Sequence, residues 1–316
     1  MNSWRTVYET PVEVDLVCLP ACLALPASLQ AAYVYSDLYV FGDSLSDTRA
    51  RVTNGRLWVE YLAPRLGLDY DQATNFARSG SDSSDILGQV SAYAAGTRAD
   101  PQGLYVVWGG AVDLFENPLF PGPAIERATR NLARAVGTLR GVGAEHILVP
   151  NLPDLGLTPA ARSLSLEDLA RDASQDFNRA LDREVAPYDP LEFDVFALIT
   201  QVAAHPGDYG LSNVRTSCLD DGAGPACEGY LFYDEIHPTT QAHRILGDAL
   251  STAVVPLPPG LVLLPGGLLL LSRFAMRARR PARRRLPPRR SGPPPATGPA
   301  RTTATALEKP ATAAYA

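Results

Sequence analysis

LYVFGDSLSD, Leu38 to Asp47, is the stretch on which the fold turns. Its first four residues are apolar, and Tyr39, Val40 and Phe41 are aromatic or β-branched, as in a short strand buried on both faces. Gly42, Asp43 and Ser44 then end the run. Working outward, four more β-rich runs occur at Thr74–Ala77, Leu104–Trp108, His146–Pro150 and Phe193–Leu198. Helical periodicity fills the gaps. In 122–143 the apolar positions Ile125, Ala128, Leu132, Val136 and Leu139 recur at three- and four-residue steps. In 165–185 Leu166, Leu169, Ala173, Phe177, Ala180 and Leu181 do the same, and Ser165 with Asp168 forms a candidate cap. Strands alternating with helices over 36–250 imply an α/β fold with a parallel sheet covered on both faces. Ligands bind beyond the carboxyl ends of such strands, so chemistry is expected in the loops after the β runs.

Ser44 lies just past the first of those ends. It reads either as an exposed nucleophile or as a cap for a following helix. A serine nucleophile needs a base, usually a histidine held by a carboxylate. The chain has four histidines. His146 opens a strand-like run, His205 sits in a loop and His243 lies in the last helical stretch. Only His237 follows a carboxylate, Asp234, at a spacing of three, in FYDEIHPT. That spacing can put the carboxylate on one ring nitrogen while the other faces the serine. The alternative is a helix start with incidental polar residues, with Pro238 opening the helix. A metal site from Asp234, His237 and His243 lacks a further cluster of strong ligands.

These blocks together resemble the GDSL esterase/lipase family, the SGNH hydrolases, in its bacterial phospholipase/lecithinase/hemolysin-like branch. The resemblance covers about residues 36–250. It implies a three-layer α/β sandwich with a flavodoxin-like, parallel, five-stranded sheet. GDSLSD carries the family nucleophile onto Ser44, NFARSG carries an oxyanion-hole glycine onto Gly80, and DEIHPT carries the acid and base onto Asp234 and His237. NGRLWVEYLAPRLGL and VPNLPDLGLTP are similar to the family's connecting text. One block departs. The family reads Gly-x-Asn-Asp there, with the Asn donating to the oxyanion, whereas this chain reads GGAVDLF with Val112 in the Asn position. Two backbone donors remain, the Ser44 and Gly80 amides. Asn151 is a conceivable replacement. The family chemistry implies acyl transfer to water on a small-molecule or lipid ester, with no metal or organic cofactor. Weakened hydrolysis and a non-catalytic module that binds acylated glycans or lipids are both compatible with Val112. Tyr105, Trp108, Phe115 and Phe120 lie where they could line an acyl pocket or simply pack.

Composition sets the frame around this body. The chain has 316 residues, 46% of them apolar, and a formal net charge of −6. The charge is uneven: residues 273–316 carry +10 and the first 272 carry −16. An acidic body argues against nucleic acid as a partner, because phosphate contacts need Lys and Arg. Residues 1–32 read as a signal peptide with an atypical n-region. Residues 33–250 form the hydrolase-like domain. Residues 251–280, which include VPLP, GLVLLPGGLLLL and an Arg cluster, resemble a PEP-CTERM-type sorting signal. That resemblance implies an exported protein, a membrane-anchoring C-terminal segment and an exosortase-like processing protease. Residues 281–316, rich in Pro, Ala and Arg, are expected to be disordered. Cys218 and Cys227 suit a small disulfide loop in an exported protein, against reduced thiols or half a zinc site. Nearby His and Cys spacing does not match a zinc pattern.

Overall fold

A computed structural model describes residues 35–254. The expectations for the leader, for 281–316 and for all but the first residues of 251–280 fall outside that range. Four strands form one parallel sheet in the order β1 (Leu38–Gly42), β2 (Leu104–Trp108), β3 (His146–Pro150) and β4 (Leu191–Phe193). The register sets Leu38 against Leu104, Leu104 against His146, and Leu148 against Leu191. Among the described residues there are eight α-helices: α1 (Trp58–Arg65), α2 (Ser83–Ala94), α3 (Ala111–Phe115), α4 (Gly122–Gly141), α5 (Pro159–Ser163), α6 (Glu167–Val185), α7 (Val195–Ala204) and α8 (Thr240–Val254). A second, two-stranded parallel ladder joins β5 (Asn213–Ser217) to β6 (Tyr230–Phe232).

The alternation of side chains along each strand divides the core. Phe41, Tyr105, Val107, Ile147 and Val149 point to one face, where they pack on Ile86 and Val90 of α2, the stripe of α4, and Phe177 and Leu181 of α6. Leu38, Val40, Leu104, Val106, Trp108 and Leu148 point to the other, against Trp58 and Leu62 of α1 and Leu246, Leu250 and Val254 of α8. Both faces are therefore covered, which is why the strands are almost uniformly apolar. The result is a three-layer α/β sandwich.

Two of the expected strands differ from the structure. At Thr74–Ala77 the chain makes a 3₁₀ turn, Gln72–Thr74, and then one parallel bridge from Asn75 to Val40 on the outer side of β1. The Phe76 and Arg78 amides donate to the Val40 and Gly42 carbonyls. The fifth position of the flavodoxin-like order is thus filled by a bridge rather than a full strand. The Asn75 side chain explains part of this: it donates to the Ser46 carbonyl and accepts from the Ala77 amide, bending the backbone within two residues. At Phe193–Leu198 the strand ends at Phe193 and a helix begins at Val195. Asp194 caps that helix by accepting from the Ala197 amide at 2.9 Å. A short apolar run does not distinguish strand from helix by itself, and the cap decides it. The expected Ser165 cap of α6 is also absent. Ser165 has φ +56°, and Leu166 occupies the cap position without a side-chain bond.

Candidate active site

The site begins where β1 stops. Gly42 is required there, because a Cβ on it would lie 2.6 Å from the Trp108 carbonyl oxygen of the neighbouring strand. The Asp43 carbonyl then accepts from the amides of Ser46 and Asp47, both at 3.1 Å, and the Asp43 carboxylate accepts from the Leu45 amide. This tight turn holds Ser44 at the carboxyl end of the sheet. Burial pushes the Asp43 carboxyl up to about 6, against the opposing pull of the Leu45 amide.

The partner loop closes on itself. Asp234 Oδ1 accepts from the Ile236 amide at 2.9 Å and the His237 amide at 2.7 Å. The Tyr233 amide donates back to the His237 carbonyl, and Phe232 bridges Pro238. The three-residue spacing thereby puts the His237 ring over the same carboxylate, with Nδ1 2.8 Å from Oδ2 and 3.0 Å from Oδ1. Nε2 lies 2.9 Å from Ser44 Oγ. An Nδ1 facing a carboxylate carries the proton, which leaves the Nε2 lone pair to accept from the serine hydroxyl. Burial opposes charge on Asp234, but the His237 ring and the two loop amides outweigh it and hold the carboxyl below its usual range. Helix α8 starts at Thr240, two residues beyond Pro238.

The NFARSG loop is fastened to the serine loop. Asp47 Oδ2 accepts from the Ser79 amide at 2.8 Å and from its hydroxyl, while Asp47 Oδ1 accepts from the Arg49 amide. Asn75 Nδ2 reaches the Ser46 carbonyl at 2.7 Å. Gly80 has φ +80° with open space around its Cβ position, so conformation rather than crowding asks for glycine. Among the described residues, neither the Ser44 amide nor the Gly80 amide donates to a protein acceptor. Asp47 and Asn75 are positioning residues that the sequence reading passed over. The signal was present, since each sits inside a block quoted for another residue.

Val112 is in α3 and lines a cavity that also holds Ser44 and His237. Its neighbour Asp113 is fully buried and takes the Ser83 amide at 2.8 Å and the Ser83 hydroxyl at 2.9 Å, tying α3 to the start of α2. Asn151 is occupied elsewhere: its Nδ2 donates to Asp194 and its Oδ1 accepts from Phe196, so it serves the α7 cap and does not replace the missing donor. The cavity is overwhelmingly apolar, with Trp108, Leu155, Val195, Ile199, Phe232 and Leu246 among its walls. Trp108 and Phe115 line it. Tyr105 does not; it is buried in the core, stacked on Tyr39. Phe120 does not either, and is 82% exposed. His243, on α8, also lines the cavity, and both its ring nitrogens lack a hydrogen-bond partner.

Cys218 and Cys227 are joined in a disulfide. The Cys218 and Leu219 amides donate to the Phe232 and Tyr233 carbonyls, so this loop braces the segment that leads into Asp234. Among the described residues no helix is long and apolar enough to cross a membrane.

Residues 38–250 match the family model described as GDSL-like Lipase/Acylhydrolase. The chain is 27% identical to Lipase 1 of Photorhabdus luminescens, over 79% of this chain and 55% of that protein. It is 24% identical to the phosphatidylcholine-sterol acyltransferase of Aeromonas hydrophila, over 75% of this chain and 96% of that one. The chain thus spans only about half of the Photorhabdus protein. A solved GDSL-like protein from Parabacteroides merdae superposes with a TM-score of 0.50 at 13% identity, covering 69% of this chain and 94% of that one. That last likeness is one of fold alone.

Proposed function

Because the chain belongs to the GDSL-like lipase/acylhydrolase family, we propose that it is a serine carboxylic-ester hydrolase that works through an acyl-enzyme. The observation that carries this reading is the continuous chain Asp234–His237–Ser44, with 2.8 Å and 2.9 Å at its two links. His237 takes the Ser44 proton as Oγ attacks the ester carbonyl, and Asp234 stabilises the imidazolium that forms. The Ser44 and Gly80 amides, both without protein acceptors, receive the oxyanion. His237 then protonates the departing alcohol, and water repeats the sequence to release the acid.

Val112 removes the third donor, so hydrolysis is expected to be slow for the family. Losing one such donor costs about 10²–10³ in kcat, or roughly 2.7–4 kcal/mol. The same observation favours a second reading, a cleft that binds acylated glycans or lipids without turnover. A fluorophosphonate probe separates the two. Covalent labelling of wild type that is lost in Ser44→Ala supports hydrolysis, and an unlabelled Ser44 supports the binding module.

The apolar cavity supports a substrate with an acyl chain. Export to the periplasm, cell surface or medium belongs to the same proposal, supported by the disulfide. Processing of the VPLP segment and transient membrane anchoring rest on sequence pattern alone.

A further inference from the structure

The loop between α3 and α4 opens on the exposed Glu116 and continues beside the cavity into an uncharged run that reaches the first residue of α4, Asn117–Gly122. Within it Leu119 is 59% exposed and Phe120 82% exposed. Exposed single apolar residues are common and mean little. Three features set this loop apart. First, it is continuous with the site, because Phe115 both lines the cavity and is 37% exposed, which puts the loop at the rim. Second, the loop is held at both ends. The Asn117 side chain donates to the Asp113 carbonyl at 2.9 Å, the Asn117 amide donates to Leu114, and the Ile125 amide donates to Pro121 at 2.8 Å. Pro118 and Pro121 fix the backbone on either side of Leu119 and Phe120. Third, the cavity is suited to hydrocarbon. Esters with long acyl chains cluster in water, so such a substrate meets the enzyme as a surface.

Resting on the ester-hydrolase reading above, we propose that Leu119 and Phe120 dock the protein on the hydrocarbon layer of an aggregated lipid ester, so that the acyl chain passes from that layer past Phe115 into the cavity. The large ring of Phe120 and the branched chain of Leu119 supply apolar area to the layer, and the absence of charge from Asn117 to Gly122 removes the penalty of carrying ions into it.

The test compares one reaction in two physical states, using the full chain. Soluble p-nitrophenyl butyrate reads the site alone, and p-nitrophenyl palmitate in phosphatidylcholine vesicles reads the site plus docking. Leu119→Ser/Phe120→Ser is expected to raise the apparent KM on vesicles about tenfold or more with kcat kept, and to leave butyrate hydrolysis within about twofold. Leu191→Ser, an exposed apolar change on the edge strand β4, is expected to alter neither. Unchanged vesicle kinetics in the double variant would overturn the proposal, as would a parallel fall on both substrates. A dimer that dissociates in the double variant while vesicle kinetics stay the same would assign the loop to self-association instead. Vesicle flotation of Ser44→Ala, with and without the loop substitutions, reads docking without turnover. A wild type inert on butyrate would defeat the hydrolase reading while the flotation still tests the loop.

Discussion

Val112 lines the same cavity as Ser44, and on the proposed reading it stands where the third oxyanion donor would. If the missing donor limits the rate, Val112→Asn raises kcat/KM on p-nitrophenyl butyrate by one to three orders of magnitude, about 10–10³. No change would show that the donor geometry is supplied elsewhere or that another step limits. His243 makes a separate statement about stability. It is 1% exposed with both ring nitrogens unpaired, and burial lowers its pKa to about 3. Replacing an unsatisfied buried polar group with an apolar one of similar size is expected to stabilise the fold by about 1–3 kcal/mol. Urea unfolding of His243→Leu at neutral pH reads this directly. The pH dependence has a fixed sign. The folded ring stays neutral while the unfolded ring takes a proton below its ordinary value of 6.5. Wild type therefore loses this contribution as pH falls from 6.5 towards 3, and His243→Leu loses less over the same window. Equal acid sensitivity in the two proteins would contradict the assignment.

Elements were legible in proportion to how strongly their pattern excludes alternatives. LYVVW and HILVP give strands with the expected ends, because their β-branched and aromatic residues are bounded by breakers, Gly103 and Gly109 in the first and Pro150 in the second. The stripe of α4 was equally plain. VFAL, Val195 to Leu198, is helix rather than the expected strand because its composition suits either state, and the deciding Asp194 cap is a single contact. The outer segment at Asn75 was misread for the opposite reason. Its backbone pairs as an edge strand would begin to, but its side chain is spent on the serine loop. At the site, Ser44, Asp234 and His237 were readable as motif residues, whereas Asp47 could be assigned its bracing role only once the two loops were seen together. Among the loops, the one closed by Cys218 and Cys227 carries its own prediction. Closing a loop with a sequence separation of 9 restricts the unfolded chain by about 2–3 kcal/mol. Cys218→Ser/Cys227→Ser should lower the urea midpoint accordingly. Since the loop amides hold Phe232 and Tyr233, kcat should fall along with stability. A variant with wild-type stability and activity would show that the hydrogen bonds alone fix the segment.

Across the whole molecule the charge is unevenly divided. The acidic first 272 residues contain the sheet, both core layers and the site, and the basic stretch 273–316 lies beyond the described fold. The parallel sheet brings residues separated by 193 positions, Ser44 and His237, to 2.9 Å at its carboxyl end. That convergence is a property of the fold, which no local window of sequence contains. On the proposed reading it makes Ser44 an ester-cleaving nucleophile. Initial rates of p-nitrophenyl butyrate hydrolysis by the full chain and by Ser44→Ala test it most directly. Measurable turnover is expected in wild type, with a fall of at least about 10³-fold in Ser44→Ala. Equal rates in the two proteins would contradict it.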